Sequence, residues 1–202
     1  MDTSNTFWDQ RYDREDYLFG TSPAAFLTGN PGHLPGKGSA LCVADGEGRN
    51  SVWLAGRGLN VTAFDQSQVA LGKARELAVR KSVQVDFKAG DVGTWDWDQT
   101  FDAVIAVFVQ FVDPAARPAF FDDLKRAVRP GGVLYLHGYT PEQLGYGTGG
   151  PPCAENMYTE AMLQEAFGDW ELLRLAAYEA ILDEGNGHSG RSALIDLIAR
   201  RP

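Results

Sequence analysis

The stretch FDAVIAVFV, residues 101–109, constrains the fold more than any other segment, because it is too uniformly apolar for a strand with one face in water. A strand of that kind is buried on both faces, as parallel strands covered by helices are. SALCVA (39–44), NVTAFD (60–65), VQVDFKA (83–89) and GVLYLHGY (132–139) also read as strands, and helical patterns at 50–57, 68–81 and 114–128 fall among them. The alternation predicts a Rossmann-like, doubly wound α/β sheet that is mostly parallel. The end departs from it. After a helix near 159–167, WELLRLAAYEAIL (170–182) and RSALIDLIAR (191–200) are joined only by DEGNGHSG. So short a link requires an antiparallel β-hairpin at the C-terminal end.

The first 35 residues differ in texture. FWDQRYDREDYLFGTSPAAFL predicts two short helices, near 5–14 and 22–29, followed by a Pro/Gly linker. They read as a helical appendage or lid (1–35) on a single domain whose core is 36–202. A net charge of −9 argues against nucleic acid and for a small-molecule partner. No secretory leader or membrane-length apolar stretch is present, so a cytoplasmic protein is expected. Cys42 lies in an apolar run and Cys153 in a loop; neither has metal-ligand spacing, and no metal is expected. Oligomeric state is not legible.

The chemistry concentrates in LCVADGEGRNSVWLA (41–55), where a strand enters a glycine turn and then a helix. That arrangement suits a nucleotide cofactor, and Asp65 at the end of the next strand has the spacing of a carboxylate that takes ribose hydroxyls. A pyrophosphate is a poor guest, since Asp45 and Glu47 would oppose its charge at the helix N-terminus. S-adenosylmethionine (SAM) has no phosphate and carries a sulfonium and an ammonium that these carboxylates complement; Arg49 is a candidate partner for its carboxylate. Asp91, with the Val92 backbone N–H, is placed to read adenine. Solvated turn charges are the competing reading for Asp45 and Glu47, and a plain turn residue for Asp91.

In order, VADGEGRN, VTAFDQS, AGD, FDAVIA and VRPGGVLYL resemble the motifs of class I SAM-dependent methyltransferases. GEGRN with a leading FWDQRY resembles the tellurite-resistance TehB-like branch. The resemblance implies a seven-stranded sheet with the last strand antiparallel and SAM at the C-terminal ends of the first strands. It places Gly46 and Gly48 against the methionine part, Gln66 and Ser67 beside Asp65 at the ribose, and Val107 and Phe108 facing the methionine moiety. It departs at the turn, where Cys42 and Ala44 stand in place of the usual acid, leaving Asp45 or Glu47 to supply it.

The expected activity is methyl transfer to a small molecule, with a thiol or a metalloid oxyanion as acceptor. The alternatives are a SAM-binding protein without catalysis and a nicotinamide-dependent oxidoreductase. Substrate candidates are Trp8, Tyr12, Phe19, Tyr139, Glu142, Tyr146 and His188. His188, His137 and Tyr146 are the candidates for acid–base work, although a lone loop histidine such as His188 is more often solvated and His137, at a strand terminus, reads equally as a core histidine. YTPEQLGYGTGGPP, rich in glycine and proline, reads as a mobile lid.

Overall fold

A computed structural model describes residues 5–202 of the chain. The strands are β1 (Ser39–Val43), β2 (Asn60–Asp65), β3 (Asp86–Ala89), β4 (Phe101–Val107), β5 (Val128–Tyr139), β6 (Glu171–Asp183) and β7 (Ser189–Arg200). They form one seven-stranded sheet in the order β3-β2-β1-β4-β5-β7-β6. The first five pair in parallel, whereas β7 is antiparallel to both β5 and β6. The order reverses between β1 and β4, and in open α/β sheets that switch point is where the strand ends part to leave a crevice.

The helices are α1 (Asn5–Tyr12), α2 (Ala25–Gly29), α3 (Arg49–Gly56), α4 (Gln68–Arg80), α5 (Arg117–Ala127) and α6 (Glu160–Phe167). The Ser67 and Thr159 side chains accept N–H bonds from the first turns of α4 and α6, which fixes where those helices start. One core layer joins Leu41, Val43, Phe64, Val104 and Leu134 to Phe120, Phe121 and Leu124 of α5. The other joins Ala40, Cys42, Ala103, Ile105 and Tyr135 to Leu54 of α3 and to Phe26 and Leu27 of α2. Residues of β4 therefore point into both layers, as FDAVIAVFV requires.

Several boundaries differ from the sequence expectation. β5 begins at Val128, and a register shift between Phe101 and Ala103 of β4 admits the VRPGG segment into the strand. β3 is shortened to Asp86–Ala89. The loop after β5 is a wall rather than a loose span, because the Gln143 amide donates to Thr148 Oγ1 and the Gly149 carbonyl and accepts from Ala193 N–H. Among the described residues, no helix is long and apolar enough to cross a membrane.

Candidate active site

At the C-terminal ends of β1, β2 and β4 lies a cavity of about 460 Å³, within the size range of small-ligand sites. Its floor is the turn after β1. Gly46 and Gly48 there adopt φ of +62° and +86°, the left-handed region where glycine avoids a steric cost. The two positions serve different ends. A Cβ on Gly46 would come 2.8 Å from Tyr12 Oη at the cavity wall, whereas one on Gly48 would meet Ala74 of α4 at 2.8 Å. Gly48 does not line the cavity; it lets α3 and α4 pack closely.

Asp65 ends β2 and is 6% exposed. Its two oxygens accept N–H bonds from Gly46 (2.9 Å) and Ser67 (2.8 Å), so one carboxylate braces the glycine turn and the start of α4. Burial raises its pKa to about 6, against the opposing effect of those N–H donors. Asp45 is raised to about 7, again by burial, although the Ser51 hydroxyl donates to it. Both are poised to gain from a cation placed beside them.

The remaining turn charges are answered within the protein. Glu47 Oε1 lies 2.5 Å from Lys73 Nζ, and Lys73 also donates to the carbonyls of Tyr12, Arg14 and Asp16. Arg49 lines the cavity, but its Nη1 sits 2.7 Å from Glu184 Oε2. Arg49 is therefore not a free counter-charge for a ligand carboxylate, contrary to the sequence reading.

Gln66, Asp91, Val92, Val107 and Phe108 also line the cavity. Asp91 is exposed at its edge, and its carboxylate accepts from Gly93 N–H at 2.8 Å. Ser67 stands just outside, capping α4 and donating to Asp9 at 2.5 Å. Phe108 has a φ of +58°, a conformation costly for a bulky residue and held here by its N–H bond to the His137 carbonyl.

The N-terminal segment forms the opposite wall with Trp8, Tyr12 and Phe19. Trp8 stacks on Tyr12, and Phe19 packs on His188 at 4.4 Å between ring centroids. His188 is only 8% exposed and lines the cavity, which corrects the expectation of a solvated loop histidine. The β6–β7 turn is held inward by N-terminal backbone, with Gly187 N–H donating to the Leu18 carbonyl at 2.9 Å. Burial, and next Arg49, push the His188 pKa well below 6.5. Its Nδ1 and the Tyr139 hydroxyl are buried without a hydrogen-bond partner.

Three of the substrate and acid–base candidates also fall outside the cavity. His137 is a core residue whose Nδ1 lies 2.7 Å from Asp196 and whose ring stacks on Phe26. Tyr146 donates its hydroxyl to Glu179 on β6, and Glu142 is exposed. Two polar lining residues, Gln110 and Asn50, are not among the sequence candidates. Gln110 accepts from Tyr139 N–H (2.7 Å) and donates to its carbonyl (2.8 Å), while Asn50 accepts from Ala24 N–H (2.9 Å). A glutamine directly after the apolar run FDAVIAVFV is the hint that would have found the first.

The residues fit a cationic nucleoside. Asp45, Glu47, Asp65 and Asp91 line the cavity with no lysine among the lining residues, and a phosphate would meet opposing charge. A family model described as a methyltransferase domain matches residues 40–132. Hemagglutinin 1 of Eikenella corrodens is 24% identical over 168 residues, which is 80% of this chain and 54% of that protein. The probable S-adenosyl-L-methionine-dependent methyltransferase TehB of Haemophilus influenzae is 23% identical over 137 residues, 66% of this chain and 46% of its own. The chain thus spans about half the length of these curated relatives.

The TehB crystal structure has a TM-score of 0.67 at 20% identity, covering 82% of this chain and 58% of that one. A solved structure described as "Conversion of a Disulfide Bond into a Thioacetal Group during Echinomycin Biosynthesis" has a TM-score of 0.74 at 20% identity, covering 98% of this chain and 92% of that one. At such identities the likeness establishes the fold. Residues 40–132 match a methyltransferase-domain model, and the seven-stranded sheet has the Rossmann-like fold of the solved structures it resembles, TehB among them.

Proposed function

We propose that the protein is a SAM-dependent methyltransferase acting on a small-molecule acceptor. The observation that carries this reading is the carboxylate-lined cavity at the glycine turn, which Asp65 both lines and braces. SAM supplies a methyl group on a cationic sulfur, activated for in-line displacement. The protein has then to hold donor carbon and acceptor atom close and collinear and to keep water out.

In this reading Asp65 takes the ribose hydroxyls with the lone pairs left over from Gly46 and Ser67. Gly46 lets the chain pass close to the amino-acid end, with Asp45 beside the ammonium. Asp91 and Val92 face the adenine, and Val107 and Phe108 face the methionine portion. Trp8, Tyr12 and Phe19 close the cavity from the N-terminal side, and Tyr139 and His188 line the acceptor end. Thiols and metalloid oxyanions are the acceptor classes to try first. The structurally similar protein described by conversion of a disulfide bond into a thioacetal group is consistent with a soft acceptor.

Parallel calorimetric titrations with SAM, S-adenosylhomocysteine and NAD test the proposal. Binding of SAM and its product, with NAD silent, is expected. Binding of NAD alone would overturn the assignment, and SAM binding without turnover on a broad acceptor panel would leave a SAM-binding protein.

A further inference from the structure

The acceptor end of the cavity is built from Phe19, Phe108, Tyr139 and His188. The Phe108 ring centroid lies 4.1 Å from that of His188 and 4.7 Å from that of Tyr139. Two polar atoms are buried in this aromatic cluster, Tyr139 Oη and His188 Nδ1, and neither has a hydrogen-bond partner in the protein. Tyr139 is 1% exposed and His188 8%. Orphaned polar groups at such depth cost free energy unless a ligand satisfies them, and here both line the cavity.

Two nearby cations are already paired. Arg49 is paired with Glu184, and Lys73 with Glu47. Arg11 reaches the cavity from α1 with its guanidinium packed over the Trp8 ring at 5.1 Å. An anion brought to this end would lose its hydration in a cavity lined by four carboxylates, with Arg11 the lining cation not already held in an ion pair among the described residues.

We infer that the acceptor is an uncharged compound bearing one X–H group on a planar apolar body, a thiol or a phenol, in preference to an oxyanion. The inference rests on the methyltransferase reading above. The Tyr139 hydroxyl donates to X, and the neutral imidazole of His188 receives the X–H proton. As the X–C bond forms, the C–S bond of the sulfonium breaks and sulfur keeps the bonding pair as a neutral thioether. The proton lost from X leaves on His188. The low basicity of His188 keeps its ring neutral, and hence able to accept, at ordinary pH.

Binding of 2-naphthol, 2-naphthalenethiol, sodium selenite and sodium tellurite, each titrated by calorimetry into the free protein and into protein saturated with S-adenosylhomocysteine, tests the inference. Saturable binding of the naphthyl compounds and silence of the oxyanions is expected. Tyr139→Phe and His188→Phe should each weaken naphthol binding about tenfold, the worth of one hydrogen bond. His188→Asn, which keeps a polar atom near the Nδ1 position, should recover part of that loss if the variant retains the wild-type circular dichroism spectrum.

Selenite or tellurite binding with naphthol silent would overturn the inference while leaving the methyltransferase reading intact. Unchanged naphthol affinity in both phenylalanine variants would also overturn it. Failure of S-adenosylhomocysteine itself to bind would instead remove the reading on which it rests.

Discussion

Arg49 and Glu184 form an ion pair at 2.7 Å in which each side chain is 7% exposed, joining the first residue of α3 to the turn between β6 and β7. Glu184 also accepts the Ala25 N–H at 2.8 Å, so one carboxylate ties together three segments distant in sequence. Removing one partner strands the other charge in the interior. Arg49→Met or Glu184→Met should destabilise the protein by about 3–5 kcal/mol, and the double substitution by clearly less. Urea unfolding of the three variants checks this; additive losses would mean that the pair does not act as a unit.

Asp65 gives stability a pH dependence opposite in sign to that of a salt-bridged carboxylate. Its pKa is about 6 in the fold against 3.8 for an ordinary aspartate. Below both values the group is protonated in either state and contributes nothing. As pH rises from 3.8 to 6 the unfolded chain ionises first, so folded stability falls through that window and levels off above it. A shift of about two units corresponds to about 3 kcal/mol. Asp65→Asn should remove that part of the slope, which is read from urea midpoints of both proteins between pH 4 and pH 7.

The two turn carboxylates should differ in what they do for a sulfonium. Glu47 is already matched by Lys73, whereas Asp45 is held by the hydroxyl and backbone N–H of Ser51, forms no ion pair among the described residues and carries a raised pKa. Asp45→Asn should therefore weaken SAM about tenfold, which is about 1.4 kcal/mol, and weaken the neutral product S-adenosylhomocysteine far less. Glu47→Gln should lower both affinities alike. Calorimetry with the two ligands separates these outcomes, and equal losses in Asp45→Asn would rule out charge complementarity there.

Gly48→Ala should lower stability without acting through the ligand. The position has φ +86°, and its new Cβ would stand 3.0 Å from Ala74 Cα, a backbone atom that cannot swing aside. Strain and overpacking together should cost about 2 kcal/mol, or about 6 °C in the thermal midpoint of a chain this size. A differential scan of the ligand-free protein measures it.

The sheet and its terminal hairpin were legible because they are written in local patterns. Apolar runs such as FDAVIAVFV and the short DEGNGHSG link leave few alternatives for β4, β6 and β7. The lining role of Asp65 was legible for the same reason, as a strand end at a known spacing from the turn. The errors arose where a partner lies far away in the chain. Nothing near Arg49 in sequence announces Glu184, and nothing near His188 announces Phe19, whose ring covers it. Tyr146 and Glu142 looked suitable by composition, yet the bracing of their loop by Gln143 turns them outward.

The placement of β7 has a consequence for how the chain is assembled. It comes last in order but sits inside the sheet, wedged between β5 and β6. As the chain emerges during synthesis, β5 must wait with a bare row of amides and carbonyls while α6 and β6 are made, and neither can dock beside it without the missing strand. Such open rows invite pairing with other chains. A nascent chain stalled anywhere before residue 189 would thus be left with both flanking ladders unclosed, making residues 189–200 the keystone of the sheet.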